Sequence, residues 1–152
     1  MEVTFREALP SDKETLLLLE QQVVEAERPY NADIRGEGAY YYNIDELIAS
    51  EQACLLVGLV GDQIVATGYA QLRESKGSLV HDKHSYLGFM LVLEEFRGLG
   101  INKLIMDLLL TWSRDQGASH VYLDVYDENE SAVKAYKKVG FEKSLVEMKL
   151  KL

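Results

Sequence analysis

The sequence predicts a mixed α/β domain around a central, mainly antiparallel sheet, and three observations carry that expectation. Two apolar runs, residues 53–60 and 64–72, flank Gly61, Asp62 and Gln63, the pattern of a β-hairpin. A stripe at Ile101, Leu104, Ile105, Leu108 and Trp112 keeps the helical period after a strand-like run, so one face of that helix packs on a sheet. Strand and helix patterns then alternate to the end of the chain, with no internal repeat and no low-complexity linker.

Residues 3–8 alternate like a first strand, and Pro10 stops it. Ser11 and Glu14 have the spacing of a capping box, opening a helix that runs to about residue 27. Pro29 ends that pattern. From residue 28 to 43 come two glycines, several charges and Tyr40, Tyr41 and Tyr42 without a clear period; a lid or substrate loop and a plain surface excursion both fit. Asn43 caps a short helix through residue 50, and the hairpin follows. A polar stretch leads to a strand over residues 86–93, a glycine-bearing turn and a helix over about 99–116 that Gly117 ends. Val121, Leu123 and Val125 alternate with Tyr122, Asp124 and Tyr126 as another strand. Asn129 opens a last helix, Gly140 terminates it, and residues 141–150 close the chain as a strand.

At 152 residues, 47% of them hydrophobic, the chain reads as one domain spanning 1–152 with a core of ordinary size. Its 25 acidic against 16 basic residues give a formal charge of −9, which argues against a nucleic-acid partner, since duplex affinity rests on many Lys and Arg contacts. Cys54 is the only cysteine, so no internal disulfide forms and a reducing, cytoplasmic setting is expected. It lies in an apolar run, where a free cysteine serves as a small hydrophobe rather than a nucleophile. The first residues lack the order of a signal peptide and no window approaches the roughly 20 apolar residues of a span, so no membrane partner is expected. His81 and His84 flank Asp82 and Lys83 without further clear ligands; they read as solvated side chains near a substrate entrance, and no metal is expected.

The sharpest feature is the run from Glu95 through Arg97, Gly98, Leu99, Gly100, Ile101 and Asn102 to Lys103, where a strand gives way to an amphipathic helix. Two glycines let the backbone curl and approach a ligand, while the first-turn amides and the positive helix end face an anion. A tight turn without a ligand fits the glycines equally well. A nucleoside-triphosphate loop is excluded, because its Gly-Lys-Ser/Thr ending is missing. A dinucleotide fingerprint finds Gly98, Gly100 and the later Asp124, but Lys103 occupies the place of its third glycine, and the loop follows a hairpin instead of opening a doubly wound sheet.

Several segments together resemble the GNAT acetyltransferase superfamily. Arg97-Gly98-Leu99-Gly100-Ile101-Asn102 is similar to its Gln/Arg-x-x-Gly-x-Gly/Ala loop. Leu123, Asp124 and Val125, followed by Asn129, Ala132, Tyr136, Gly140 and Phe141, resemble its second signature. Asn102 departs from the preferred Gly or Ala, and a larger side chain there either crowds a pyrophosphate or adds a hydrogen bond to it. The resemblance implies a GNAT fold, its sheet splayed between strands 4 and 5 with helices on both faces, and a transfer of acetyl from acetyl-CoA directly to a primary amine. The acceptor is a small molecule or a peptide, and a homodimer is one assembly open to the chain.

The same resemblance implies roles. The pantetheine arm would pair with the backbone of Met90, Leu91 and Val92, and the pyrophosphate would sit on the amides from Gly98 to Lys103 with Arg97 adding charge. Asn129 is a helix cap by position, and the family adds a contact to the cofactor. Tyr136 lies on the apolar face of its helix, a core position by pattern alone, and the resemblance makes its hydroxyl the acid that protonates the leaving thiolate. Some relatives carry a base on the fourth strand, but residues 85–93 hold no carboxylate. Asp124 is the nearest alternative; a water relay with Glu25 or Glu27 holding the ammonium also fits. Two other classes stay open: an acetyl-CoA-binding sensor or interaction module without turnover, and a dinucleotide-dependent oxidoreductase.

Overall fold

A computed structural model describes residues 2–152. The order is β1 (Thr4–Glu7), α1 (Lys13–Glu27), α2 (Ile44–Ala49), β2 (Ala53–Val60), β3 (Gln63–Glu74), β4 (Lys83–Val92), α3 (Ile101–Asp115), β5 (Val121–Tyr122) and α4 (Glu130–Val139). The five strands lie side by side in sequence order. Pairing is antiparallel through β4, and β4–β5 is parallel because α3 carries the chain back across the sheet. One parallel pair beside three antiparallel ones is not the doubly wound sheet that a dinucleotide enzyme needs.

Both faces are covered. Leu16 and Leu19 of α1 and Ile44 and Leu47 of α2 pack with Leu55 and Val57 on one side. Ile105, Met106 and Leu109 of α3 pack with Cys54 and Leu56 on the other. The alternation of 54 and 56 against 55 and 57 is the two-residue period of a strand buried on both faces. The α3 stripe differs from the expected one: Leu104 and Leu108 are exposed, and Ile101, Ile105 and Leu109 are buried. Leu108, Leu109 and Leu110 are consecutive and all apolar, so the period alone could not fix which of them faces inward.

Several ends follow local chemistry. The Asn43 side chain accepts from the Glu46 amide at 3.1 Å, and Asn129 accepts from Ala132 at 3.3 Å, as their cap positions required. At the first helix the capping box expected of Ser11 and Glu14 does not form; Asp12 instead reaches back, accepting the Leu9 amide at 2.7 Å and the Arg6 guanidinium at 2.8 Å. The helix after the glycine turn starts at Ile101 instead of about residue 99, because Gly100 at φ 80° breaks the helical path.

Two strand expectations are corrected. β5 spans Val121–Tyr122 and not residues 121–126. Residues 141–150 form no strand; they run in irregular conformation along the surface, tethered by Lys143 to Asp127 at 2.6 Å and by Lys149 to Asp33 at 2.8 Å. Met148 and Leu150 are 89% and 83% exposed. Alternation says which face a strand would bury, not whether a free sheet edge lies within reach, and the last strand here offers only two residues.

The segment between α1 and α2 is tied down from beneath. Glu20, 1% exposed, accepts the amides of Tyr41 and Tyr42 at 2.8 Å each, so its buried carboxylate is satisfied by backbone donors. Tyr42 then stacks on Phe89 at 4.6 Å.

Candidate active site

Strand β4 makes the site by bending. Between Thr67 and Tyr69 its register with β3 shifts, two residues of β3 spanning three of β4. Phe89 sits at the bulge with φ 53°, a left-handed value costly for a bulky residue, and the Thr67 hydroxyl donates to its carbonyl at 2.7 Å. Ser85 and Leu87 face α3, whereas Phe89 and Leu91 face α1 and α2. On the other edge, β4 pairs with β5 only at Ser85–Val121 and Tyr86–Tyr122, after which the two diverge.

The divergence opens a cleft of about 380 Å³. Met90, Leu91 and Val92 form one wall. Arg97, Gly98, Gly100, Ile101 and Asn102 close one end. Asp124, Asn129 and Tyr136 face them from the opposite side. Separate segments singled out in the sequence thus line one space. Leu99 and Lys103 stand outside that lining: the Leu99 side chain is exposed, and Lys103 is paired with Asp107 at 2.8 Å. Glu27 also lines the cleft, while Glu25 pairs with Arg28 at 2.9 Å.

The loop has anion-site geometry. Gly98 and Gly100 take φ of 79° and 80°, and a Cβ on either would meet nothing within 4 Å, so the space before them is open and the glycines serve backbone conformation. The Arg97 Nε donates to the Val92 carbonyl at 3.0 Å, which fixes the guanidinium beside the end of β4. Gly100 precedes the first turn of α3, whose amides point out of the helix.

At the opposite end Tyr136 is largely buried among the α3-side core residues and edge-on to Phe141 at 6.0 Å. Burial, reinforced by Glu27, raises its pKa and keeps the phenol protonated. Burial also raises Glu27, against the Tyr41 hydroxyl beside it, bringing that carboxyl nearer neutrality as a proton acceptor. Asp124 accepts from the Tyr86 hydroxyl at 2.9 Å. Tyr86 is raised in turn, chiefly by burial and then by Asp124.

Other candidates settle elsewhere. Cys54 is buried and its thiol is pushed up to about 11, which leaves almost no thiolate for nucleophilic attack. His81 and His84 do not wave in solvent: both approach the Ser75 hydroxyl, at 2.6 and 2.9 Å, and His81 also meets the Tyr122 hydroxyl at 2.9 Å. Among the described residues no group of three or more His, Cys, Asp or Glu side chains is arranged to hold a metal, and no helix is long and apolar enough to cross a membrane. Val23, Ala26 and Tyr126 line the cleft without having been singled out. The 23, 26, 27 spacing on α1 and the placement of Tyr126 two residues from Asp124 were the signals available.

Comparison with known proteins bears on family and fold. The model of the acetyltransferase (GNAT) family matches residues 20–141. The uncharacterized N-acetyltransferase YobR of Bacillus subtilis is 37% identical over 62 residues, 41% of this chain, and the match spans 25% of that protein. The chain therefore matches about a quarter of the length of such curated relatives. Among solved structures, a mutant of the BH1408 protein from Bacillus halodurans has a TM-score of 0.87 at 26% identity, covering 98% of this chain and 99% of that one. A predicted acetyltransferase with acetyl-CoA from Clostridium acetobutylicum has a TM-score of 0.75 at 18% identity, over 99% and 96% of the two chains, and shares the fold.

Proposed function

Because the chain belongs to the acetyltransferase (GNAT) family, we propose that it is an N-acetyltransferase that moves an acetyl group from acetyl-CoA directly to a primary amine. The single observation that carries this reading is the cleft where β4 and β5 part, since the glycine loop, the bulged strand edge, Asp124 and Tyr136 all line it. Bound acetyl-CoA would supply an activated acyl carbon on a thiol leaving group.

The residues fit that cofactor. Amides of residues 98–103 would take the pyrophosphate, with Arg97 adding charge and Asn102 within reach. The edge of β4 at Met90, Leu91 and Val92, left without a strand partner on the β5 side, would take the pantetheine amides. Asn129 spends its side-chain oxygen on Ala132, so its amide nitrogen stays available to the cofactor.

The amine must lose a proton to attack the thioester carbonyl. Its nitrogen then bonds to the acyl carbon, the carbon–sulfur bond breaks, and the sulfur needs a proton. Tyr136 donates that proton. Asp124, or Glu27 through a water, receives the one lost by nitrogen. The whole reaction would run within one domain, residues 1–152, in a cytoplasmic setting and without a metal.

Calorimetric titration with acetyl-CoA, against reduced nicotinamide cofactor and ATP, tests the loop. Selective acetyl-CoA binding followed by amine-dependent thiol release is the expected result. Binding without turnover of any amine would leave a sensor in place of an enzyme, and no binding would sink the reading altogether.

A further inference from the structure

Beyond the cleft, β3 presents a cation whose use nothing above explains. The Arg73 guanidinium lies over the Tyr86 ring, its Cζ 3.8 Å from the centroid. Its Nε donates to Gln71 at 3.0 Å and a terminal nitrogen approaches the Tyr69 hydroxyl at 3.4 Å. Among the described residues no carboxylate stands within ion-pair distance of it, in a chain with 25 acidic residues. The ring beneath is the one whose hydroxyl donates to Asp124, at 2.9 Å. One phenol therefore separates an exposed, carboxylate-free guanidinium from a carboxylate that lines the cleft.

The floor holding this pair is built. Gly88 leaves room for the Tyr69 ring, which a Cβ there would strike. Tyr42, Tyr69 and Tyr86 then run in successive contact, at 5.8 and 6.4 Å between centroids, from the pinned α1–α2 segment toward Asp124. The ring holds the planar guanidinium face-on and leaves donors of its fork free, and that fork matches a carboxylate. Asp124 attracts an ammonium.

Resting on the acetyl-transfer reading, we infer that the acceptor is a small aminocarboxylate, such as a free amino acid, whose amine faces Asp124 and whose carboxylate lies on Arg73. The spacing across one phenol suits an ammonium and a carboxylate a few bonds apart. A diamine would set its second cation against Arg73, and a simple amine would leave that charge unanswered.

The test measures kcat/KM for leucine and phenylalanine and for the matching amines without the carboxylate, isoamylamine and phenethylamine, in wild type, Arg73→Gln and Arg73→Lys. A charge-assisted bidentate contact predicts an acid-over-amine preference of about tenfold to hundredfold, carried mainly by KM. Arg73→Gln should bring that ratio near one, and Arg73→Lys should restore only part of it, because an ammonium lacks the fork. Equal or better use of the amines by wild type, or an unchanged ratio in Arg73→Gln, overturns the inference while acetyl transfer stands. If acetyl-CoA binds and none of the four compounds turns over, the acceptor is not a small aminocarboxylate and the inference is overturned; turnover of another amine then separates this failure from failure of the acetyl-transfer reading.

Discussion

The two edges of β4 differ sharply. Against β3 the strand is paired from Glu74 opposite Lys83 to Ala66 opposite Val92, interrupted only by the bulge; against β5 it is paired at Ser85 and Tyr86 alone. Both edges carry the same strand's amides and carbonyls, and unpaired backbone must find water or a ligand. One edge therefore holds the sheet together, and the other, opened by the bulge at Phe89, is where the cleft forms. On the acetyl-transfer reading, stability and chemistry are divided across the width of one strand, so substitutions on the two sides should have opposite signatures.

The largest expected effect lies on the open side. Tyr136→Phe removes the hydroxyl and keeps the ring packed. Turnover should fall by about 10²- to 10⁴-fold while the thermal midpoint and acetyl-CoA affinity hold. Steady-state kinetics beside a melting curve checks this, and unchanged turnover would remove Tyr136 from the chemistry. On the closed side Gly88→Ala should do the reverse first. Its Cβ would collide with the Tyr69 ring between β3 and β4, an overpacking worth about 1–3 kcal/mol and, at this chain length, several degrees of melting temperature. A variant that melts like the wild type would show that Tyr69 moves aside freely.

Much of this division was legible locally. The hairpin turn at Gly61, the caps at Asn43 and Asn129 and the stops at Gly117 and Gly140 depend on neighbours within four residues, and they appear where residue chemistry put them. The glycine loop was legible for the same reason, since a tight turn into a helix needs residues that tolerate positive φ. What the pattern missed depends on partners far along the chain. Phe89 bulges because Thr67, 22 residues earlier, holds its carbonyl. Glu20 reads as a surface residue of α1 until Tyr41 and Tyr42 bring their amides over it. Residues 146–150 alternate apolar and polar as a strand would, yet no edge of the sheet receives residues 141–150. Asp124 was singled out from a resemblance, but its link through Tyr86 to Arg73 joins two strands and the segment after β5, and no spacing rule relates residues 73, 86 and 124.

The smallest effect comes from the residue that serves both purposes. The Asn129 side-chain oxygen caps α4, and its amide nitrogen is free to face the cleft that it lines. Asn129→Ala should cost about 1 kcal/mol from the lost cap together with some acetyl-CoA affinity. Asn129→Asp keeps an oxygen for the Ala132 amide and adds a negative charge at the helix N-terminus, so stability should be retained or slightly raised. That charge faces the space assigned to the cofactor's phosphates and replaces a donor with an acceptor, so affinity should fall further than in the alanine variant. Melting and calorimetry on the two proteins separate the roles: affinity that tracks stability would make Asn129 a cap alone, whereas a stable aspartate variant that binds weakly would place its amide on the cofactor.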